Sequence, residues 1–193
     1  FFPLLTLHVY IISKNFYYFK NFSINSCSVR IGMFSFFAAI FLAEVDVLSL
    51  LIKYFVFDGV KPNPTVQNVH DGLTMAKINN VDAVVSIGGG SVIDEAKSIA
   101  HGLVNEGDPF DFNISKRISN KALPVGVILT LSAAGSELST SCVITNDEVT
   151  PYMKNGFNNE LNRPLFAICN PELTYTVSKF QTGCGIVDIL MHT

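Results

Sequence analysis

The sequence contains few charged residues and no paired cysteines. Only 15% of its 193 residues are charged and the net charge is −3, with no stripe of Lys or Arg, so a nucleic-acid-binding protein is not expected. No CxxC pair and no His at zinc-finger spacing accompany the four cysteines, which are Cys27, Cys142, Cys169 and Cys184. We therefore predict free cysteines in a reducing compartment, and hence a cytoplasmic protein.

A hydrophobic run long enough to cross a membrane is also lacking. The best candidate, residues 31–43, ends at Glu44 and is shorter than the ~20 residues that a transmembrane helix requires. A membrane-tethered protein is therefore disfavoured. Hydrophobic residues nevertheless make up 49% of the chain, which is enough to build a core and argues against disorder.

Residues 1–53 differ from the rest of the chain because they are rich in Phe and sparse in charge. Three interpretations are open: buried helix and strand, a membrane or secretory segment, or a segment foreign to the fold, such as a misread frame or intron. We favour the third and expect these residues to pack irregularly against the rest. The first residue is Phe1 rather than Met, which suggests a fragment or a conceptual translation.

Strand and helix patterns alternate from Tyr54 onward. Buried strands are predicted in VDAVVSI and ALPVGVILTL, a short strand in FVFDGV, and further strands in SCVITN and RPLFAICNP. The segment DEVTPYMKNGF is interpreted as a loop. Helices are predicted in VQNVHDGLTMAKINN, in VIDEAKSIAHGL and after Ser178, a possible N-cap. Two prolines flank Asn63, so an extended turn is expected there. This order predicts a three-layer α/β fold with a doubly wound, mainly parallel sheet, in which VDAVVSI and PVGVILTL are central strands.

The glycine turn GGGS, residues 88–91, follows a buried strand and opens a helix. Glycine lets the backbone approach a ligand closely, and the first amides of a helix have no intrahelical acceptor and attract an anion. This arrangement suits the pyrophosphate of a dinucleotide. It matches neither GxGxxG nor the P-loop, because Lys97 lies too far into the helix, and taken alone it could equally be structural.

Several blocks in one order resemble the iron-containing alcohol dehydrogenase family, in particular its butanol dehydrogenase branch. They are PNPT, GGGSVIDEAKSIA, TLSAAGSE, VITN, RPLFAICNPELTYT and QTGCGIVDILMHT. The resemblance implies a dehydroquinate synthase-like nucleotide-binding domain over residues 54–177. Residues 178–193 would begin a helical metal-binding domain. The family's first strand and its other glycine turn are not found in residues 1–53, so the choice between NAD and NADP is unreadable.

The resemblance also implies which residues contact NAD(P). Gly89, Gly90 and Ser91 would hold the pyrophosphate, and Asn63 would reach the nicotinamide or ribose. Further contacts to the cofactor are implied for Asp94, Thr130, Ser132, Ser139 and Lys154. Asp94 could instead serve only the helix N-terminus, and Lys154 could be a solvated loop lysine.

A second site is suggested by Asp188 and His192, which are spaced i, i+4 and so share one face of a helix. A carboxylate and an imidazole suit Fe(II) or Zn(II), although the spacing alone also fits an ordinary surface pair. The resemblance implies that they are the first two metal ligands. Two further histidines would come from a helical domain beyond Thr193. His70 and His101 are interpreted as surface or boundary residues.

The implied activity is interconversion of a small primary alcohol and an aldehyde with NAD(P) and a divalent metal, in a homodimeric parent enzyme. Two alternatives share the scaffold: a sister enzyme of the glycerol dehydrogenase or dehydroquinate synthase type, and a nucleotide-binding remnant without catalysis. The blocks TLSAAGSE and DxxxH argue against the sister enzymes. The presence of only two metal ligands favours the remnant.

Overall fold

The computed structural model describes residues 8–13, for which only the backbone is considered, and residues 53–192. Seven strands are described there: β1 (His8–Ser13), β2 (Lys53–Asp58), β3 (Ala83–Gly88), β4 (Val125–Leu129), β5 (Ser141–Asn146), β6 (Met153–Asn158) and β7 (Phe166–Ile168). The helices are α1 (Val66–Ile78), α2 (Gly90–Gly102), α3 (Phe110–Asn113) and α4 (Lys179–His192). Two 3₁₀ turns span Glu160–Asn162 and Pro171–Thr174.

The main sheet has the strand order β2-β1-β3-β4-β7. Strands β3, β4 and β7 are parallel neighbours, with Ser86 opposite Val127 and Ile128 opposite Ile168. VDAVVSI and PVGVILTL thus form adjacent strands inside the sheet, and every residue of β4 is buried. The predicted α/β class with a parallel sheet is confirmed. Continuous apolar, β-branched segments form such strands because both of their faces are covered.

Strand β1 differs from the irregular packing expected of residues 1–53. It is regular and lies antiparallel between β2 and β3, with Tyr10 opposite both Val56 and Val85. The apolar sequence HVYIIS has the alternation and β-branching that favour a strand. Residues 14–52 lie outside the described part of the chain. The division into residues 1–53, 54–177 and 178–193 therefore stays a prediction.

Helices α1 and α2 pack against each other, and α2 also packs on the sheet. The apolar side chains at this junction include Val69, Leu73, Ile93, Ile99 and Val127, each at most 5% exposed. Helix α1 begins at Thr65, whose hydroxyl accepts from the amide of Asn68 at 3.3 Å, as expected of an N-cap. This packing fixes the helix that follows the glycine turn.

Three local expectations were wrong. SCVITN forms β5, but β5 pairs with β6 in a separate antiparallel hairpin, and β6 arises from the segment interpreted as a loop. Asn63 is left-handed, with φ of 58°, rather than extended. His101 is 1% exposed rather than at the surface, because Ser119 and Asn162 satisfy both ring nitrogens at 2.6 and 2.8 Å.

No helix among the residues described is both long enough and apolar enough to span a bilayer.

Candidate functional site

The glycine turn joins the carboxyl end of β3 to the first residue of α2. Gly89 is the N-cap residue and its carbonyl accepts from the amides of Val92 and Ile93 at 3.1 and 3.2 Å. The amides of Gly90 and Ser91 come before these bonds and have no intrahelical acceptor. A Cβ atom added to Gly90 would meet nothing within 4 Å, so this residue borders open space. The turn therefore offers free amides and a helix N-terminus to an anion in that space.

A crevice of about 670 Å³ opens beside this turn. One wall is the turn itself with Val92, and a second is formed by Thr130 and Leu131 at the end of β4. The remaining lining comes from Pro62 and from the segment that leads into α4, namely Leu173, Thr176, Val177, Ser178 and Gln181. The crevice therefore lies at the carboxyl ends of two adjacent parallel strands, where open α/β sheets bind their ligands.

Three predicted cofactor residues are linked by hydrogen bonds. The backbone amide of Asn63 donates to Ser91 Oγ at 3.2 Å, and the Lys154 ammonium donates to Asn63 Oδ1 at 2.8 Å. These bonds cross 28 and 91 positions of the sequence. The structure thus joins the PNPT turn, the glycine turn and β6, although among Asn63, Ser91 and Lys154 only Ser91 lines the crevice.

Asp94 lies outside the lining of this crevice. Its carboxylate accepts from Ser136 Oγ at 2.5 Å and from the amide of Val143 at 3.1 Å. Burial raises the pKa of Asp94, and the bonds to Ser136, the nearby Lys97 and the amide of Val143 oppose that rise. The side chain thus faces the TLSAAGSE loop and β5, whereas the sequence interpretation directed it to the cofactor.

The three predicted residues after β4 are in different environments. Thr130 lines the crevice, and its amide donates to the carbonyl of Gly88 at 3.1 Å. The carbonyl of Ser132 lies 2.6 Å from the position that a Cβ on Gly185 would take, so the loop and α4 are in close contact. Ser139 Oγ accepts from the amide of Ser141 at 2.9 Å, which gives this hydroxyl a local structural bond.

Sequence reasoning missed two buried charged residues of α2. Lys97 is fully buried and donates to the loop that follows β4. Glu95 is also fully buried, and both of its carboxylate oxygens accept from Asn68 Nδ2, at 2.9 and 3.0 Å. Their hydrogen-bond partners, Asn68 and Ser136, are distant in the sequence, so the local pattern carried no signal of their burial.

Asp188 and His192 lie side by side on α4. The hydroxyl of Ser178 accepts from the amide of Gln181 at 3.2 Å, which confirms Ser178 as the N-cap of this helix. Asp188 Oδ1 and His192 Nε2 are 3.7 Å apart, and their side chains are 45% and 61% exposed. Both atoms can therefore face one ion. Within the described ranges, no group of three or more His, Cys, Asp and Glu residues is placed to hold a metal.

The fold and the crevice together define an α/β protein of the type that binds ligands at the carboxyl edge of parallel strands. The model of the family described as iron-containing alcohol dehydrogenase matches residues 18–171. The chain therefore belongs to the iron-containing alcohol dehydrogenase family. The match extends into residues 18–53, the segment that sequence analysis had set apart.

Individual relatives agree with this family. The chain is 42% identical over 142 residues to NADH-dependent butanol dehydrogenase A of Clostridium acetobutylicum, covering 74% of this chain and 36% of that protein. It is 32% identical to the NADPH-dependent aldehyde reductase YqhD of Escherichia coli, covering 71% and 36%. The crystal structure of NADH-dependent butanol dehydrogenase A from Thermotoga maritima superposes with a TM-score of 0.67 at 42% identity, covering 69% and 33%. The chain thus spans about a third of the length of these relatives.

Proposed function

We propose that this chain supplies the dinucleotide crevice and two metal ligands of an enzyme that interconverts a primary alcohol and an aldehyde with NAD(P). The relatives named above include NADH-dependent butanol dehydrogenases and an NADPH-dependent aldehyde reductase, which supports an alcohol or aldehyde substrate. They differ in the nicotinamide cofactor, so either NADH or NADPH is compatible with the family.

The observation that carries the proposal is the position of α4. Ser178 and Gln181, at the start of this helix, line the same crevice as the glycine turn, and Asp188 and His192 follow on the same helix. The residues suited to a dinucleotide and those suited to a metal are therefore held by adjoining elements. The close contact of Gly185 with Ser132 fixes α4 against the end of β4.

The residues present fit both groups. The free amides of Gly90 and Ser91 and the open space at Gly90 suit a pyrophosphate, and the carboxylate and imidazole pair on α4 suits Fe(II) or Zn(II) as part of a larger ligand set. When bound, the nicotinamide would accept or donate a hydride and the metal would act as a Lewis acid.

In this proposal the chain's own residues bind the dinucleotide, orient it and hold the metal. The helix N-terminus at Gly90 and Ser91 would hold the pyrophosphate, and Asn63, braced by Lys154, would border the adjoining part of the cofactor. Thr130 and Leu131 would form the opposite wall and limit the approach of water to the bound dinucleotide. Asp188 and His192 act as ligands in this proposal and do not carry protons.

Substitution of Gly90 by Leu tests the crevice directly. A side chain at this position projects into open space, so the fold accepts it, and Leu favours a helix more than Gly does. We expect the Gly90→Leu chain to lose binding of both NADH and NADPH, measured by the change in nicotinamide fluorescence on titration of the 193-residue chain.

Gly183→Leu is the matched control. Gly183 is also a helical glycine whose added Cβ would meet nothing within 4 Å, but it lies outside the lining of the crevice. We expect this variant to bind dinucleotide as the unchanged chain does. Equal affinity of the Gly90→Leu and Gly183→Leu chains would refute the assignment of the glycine turn to the pyrophosphate.

A further inference from the structure

The ammonium group of Lys97 is surrounded by oxygen atoms of a single loop. Lys97 is fully buried, and its Nζ lies 2.8 Å from the carbonyls of both Ser136 and Ser141, 3.2 Å from the carbonyl of Ser139 and 3.0 Å from Ser136 Oγ. An ammonium group has three hydrogens to donate, so these four acceptors saturate it. The group therefore occupies this cage of oxygen atoms as a bound cation would.

The charge of Lys97 is compensated within the same helix. Asp94 Oδ1 lies 3.8 Å from Nζ, and the Ser136 hydroxyl bridges the two groups because it accepts from Lys97 and donates to Asp94. A buried ammonium without a counter-charge would be costly. Lys97 and Asp94 thus clamp the loop to α2 through both its carbonyls and its hydroxyl.

The clamped loop, residues 132–141, begins where the crevice wall ends. Leu131 lies against the glycine turn, since its Cβ is 3.3 Å from the position that a Cβ on Gly89 would take. The Ser132 carbonyl touches α4 at Gly185. Residues 132–140 form no helix or strand. Outside α2, Arg163 donates to the Leu138 carbonyl at 2.6 Å, and Asn162 Nδ2 and the Asn159 amide donate to the Thr140 carbonyl at 2.7 and 3.0 Å. Lys97 is therefore the loop's main tie to the helix that carries the glycine turn.

We propose that Lys97 is a positioning residue, whose ammonium group holds residues 132–141 against α2 and keeps the wall at Thr130 and Leu131 in register with the glycine turn. The proposal rests on the function proposed above, because the wall and the turn are both assigned to the dinucleotide. Lys97 does not touch the crevice itself, since it is fully buried and absent from its lining. An apolar side chain of equal length would fill the space but remove the donor that Lys97 supplies to three carbonyls, of which only that of Ser136 has a second donor given by the structure, the amide of Ser139 at 3.4 Å.

Lys97→Met in the full 193-residue chain tests this role, with Lys77→Met as the control. Lys77 is an exposed lysine in the last turn of the neighbouring helix α1. We expect Lys97→Met to weaken NADH or NADPH binding about tenfold and to speed hydrogen exchange of the amides in residues 132–141. Lys77→Met should leave both unchanged.

Chemical rescue separates a tethered cation from a general packing role. Lys97→Ala removes the part of the side chain that n-propylammonium reproduces, whereas tetramethylammonium carries the charge without any N–H donor. We expect n-propylammonium to restore slow exchange in residues 132–141 and to recover most of the lost affinity. Tetramethylammonium should restore neither.

The results of these experiments distinguish the role proposed for Lys97 from a purely structural one. Unchanged exchange in residues 132–141 of Lys97→Met overturns the proposal. Faster exchange with unchanged dinucleotide affinity also overturns it, because the loop would then be held without effect on the crevice. If the unchanged chain binds no dinucleotide, the proposed function fails, while exchange and rescue still test whether Lys97 holds the loop. If either variant does not fold, refolding by n-propylammonium in Lys97→Ala supports the role and failure to refold contradicts it.

Discussion

Helices α2 and α4 both border the crevice, yet their surroundings differ. Ten of the thirteen residues of α2 are buried, including Glu95, Lys97 and His101. In the fourteen-residue α4, Gly185 is the single residue that the described part of the chain buries. Helix α2 packs against the sheet, α1 and β5, whereas α4 is mostly exposed and contacts Ser132 through Gly185.

The difference shows which half of the proposed site this chain builds by itself. The glycine turn is held by a helix with apolar and polar partners on all sides. Helix α4 instead exposes large apolar side chains, namely Phe180, Ile186, Val187, Leu190 and Met191, which are 55–80% accessible. Exposed apolar surface of this extent is typical of a face that packs against further protein. Among the described residues, the glycine turn is thus held by a buried helix, whereas Asp188 and His192 lie on a helix that is mostly exposed.

The largest expected difference between the helices is in stability. Ile99 of α2 is fully buried, and its Cδ1 lies 2.5 Å from the position of a Cβ on Gly72, so it fills the contact with α1. We expect Ile99→Ala to lower the free energy of unfolding by about 2–5 kcal/mol, because it leaves a cavity. Leu190→Ala, at a residue 70% exposed, should change it by less than about 0.5 kcal/mol.

Urea unfolding of both variants, followed by circular dichroism, measures this difference. Losses of similar size would show that α4 is packed as firmly as α2.

The sequence was sufficient to predict the elements that neighbouring residues determine. VDAVVSI and PVGVILTL are continuous apolar segments, and such segments form strands wherever both faces are covered. Ser178 is an N-cap because its own hydroxyl reaches an amide three residues on. The glycine turn joins a strand to a helix for equally local reasons. The family resemblance then supplied the chemistry that local pattern alone left open.

The features that sequence missed depend on distant partners. Lys97 is buried because it meets Ser136, 39 positions away, and His101 because it meets Asn162, 61 positions away. The bond from the Asn63 amide to Ser91 likewise joins residues 28 positions apart, which no local rule predicts. A charged or polar residue looks the same in sequence whether its partner is water or a folded loop. These positions therefore became readable only with the fold.

A second, smaller difference between the helices is expected in pH dependence. Burial raises the pKa of Glu95 to about 7 from an ordinary value of 4.5; the bond from Asn68 lowers it and Asp71 raises it further. Between these two pH values the folded chain binds a proton that the unfolded chain does not. The contribution of Glu95 to stability is therefore present below pH 4.5 and is lost as pH rises through about 7.

Glu95→Gln should remove this pH dependence. The free energy of unfolding of the variant, relative to that of the unchanged chain, should therefore rise by up to roughly 3 kcal/mol between pH 4.5 and 8. Burial lowers the pKa of His101, which has the opposite effect on stability, but His101 is present in both proteins and cancels in the difference. Urea unfolding across this pH range measures it, with the exposed Glu106→Gln as control. Parallel pH profiles for the unchanged and Glu95→Gln chains would contradict the prediction.

The smallest effect on stability is expected at Asp188 and His192, the two residues proposed as metal ligands. Asp188 and His192 are an exposed i, i+4 pair with 3.7 Å between Oδ1 and Nε2. Such pairs contribute little to stability, so Asp188→Ala and His192→Ala should each change the free energy of unfolding by less than about 0.5 kcal/mol. Urea unfolding without added metal measures this. A larger loss would show that the pair is structural.

The 193-residue chain alone is expected to lack catalytic activity. Catalytic zinc sites commonly use three protein ligands, and the described residues offer two, both on the helix that the chain leaves uncovered. An ion held by two exposed ligands would remain open to water and would not fix a substrate oxygen next to the nicotinamide. We therefore expect dinucleotide binding but no turnover of short primary alcohols or aldehydes, even with added Fe(II) or Zn(II). The measurement is NAD(P)H absorbance with each metal, and metal-dependent turnover that disappears in His192→Ala would show that the two ligands suffice.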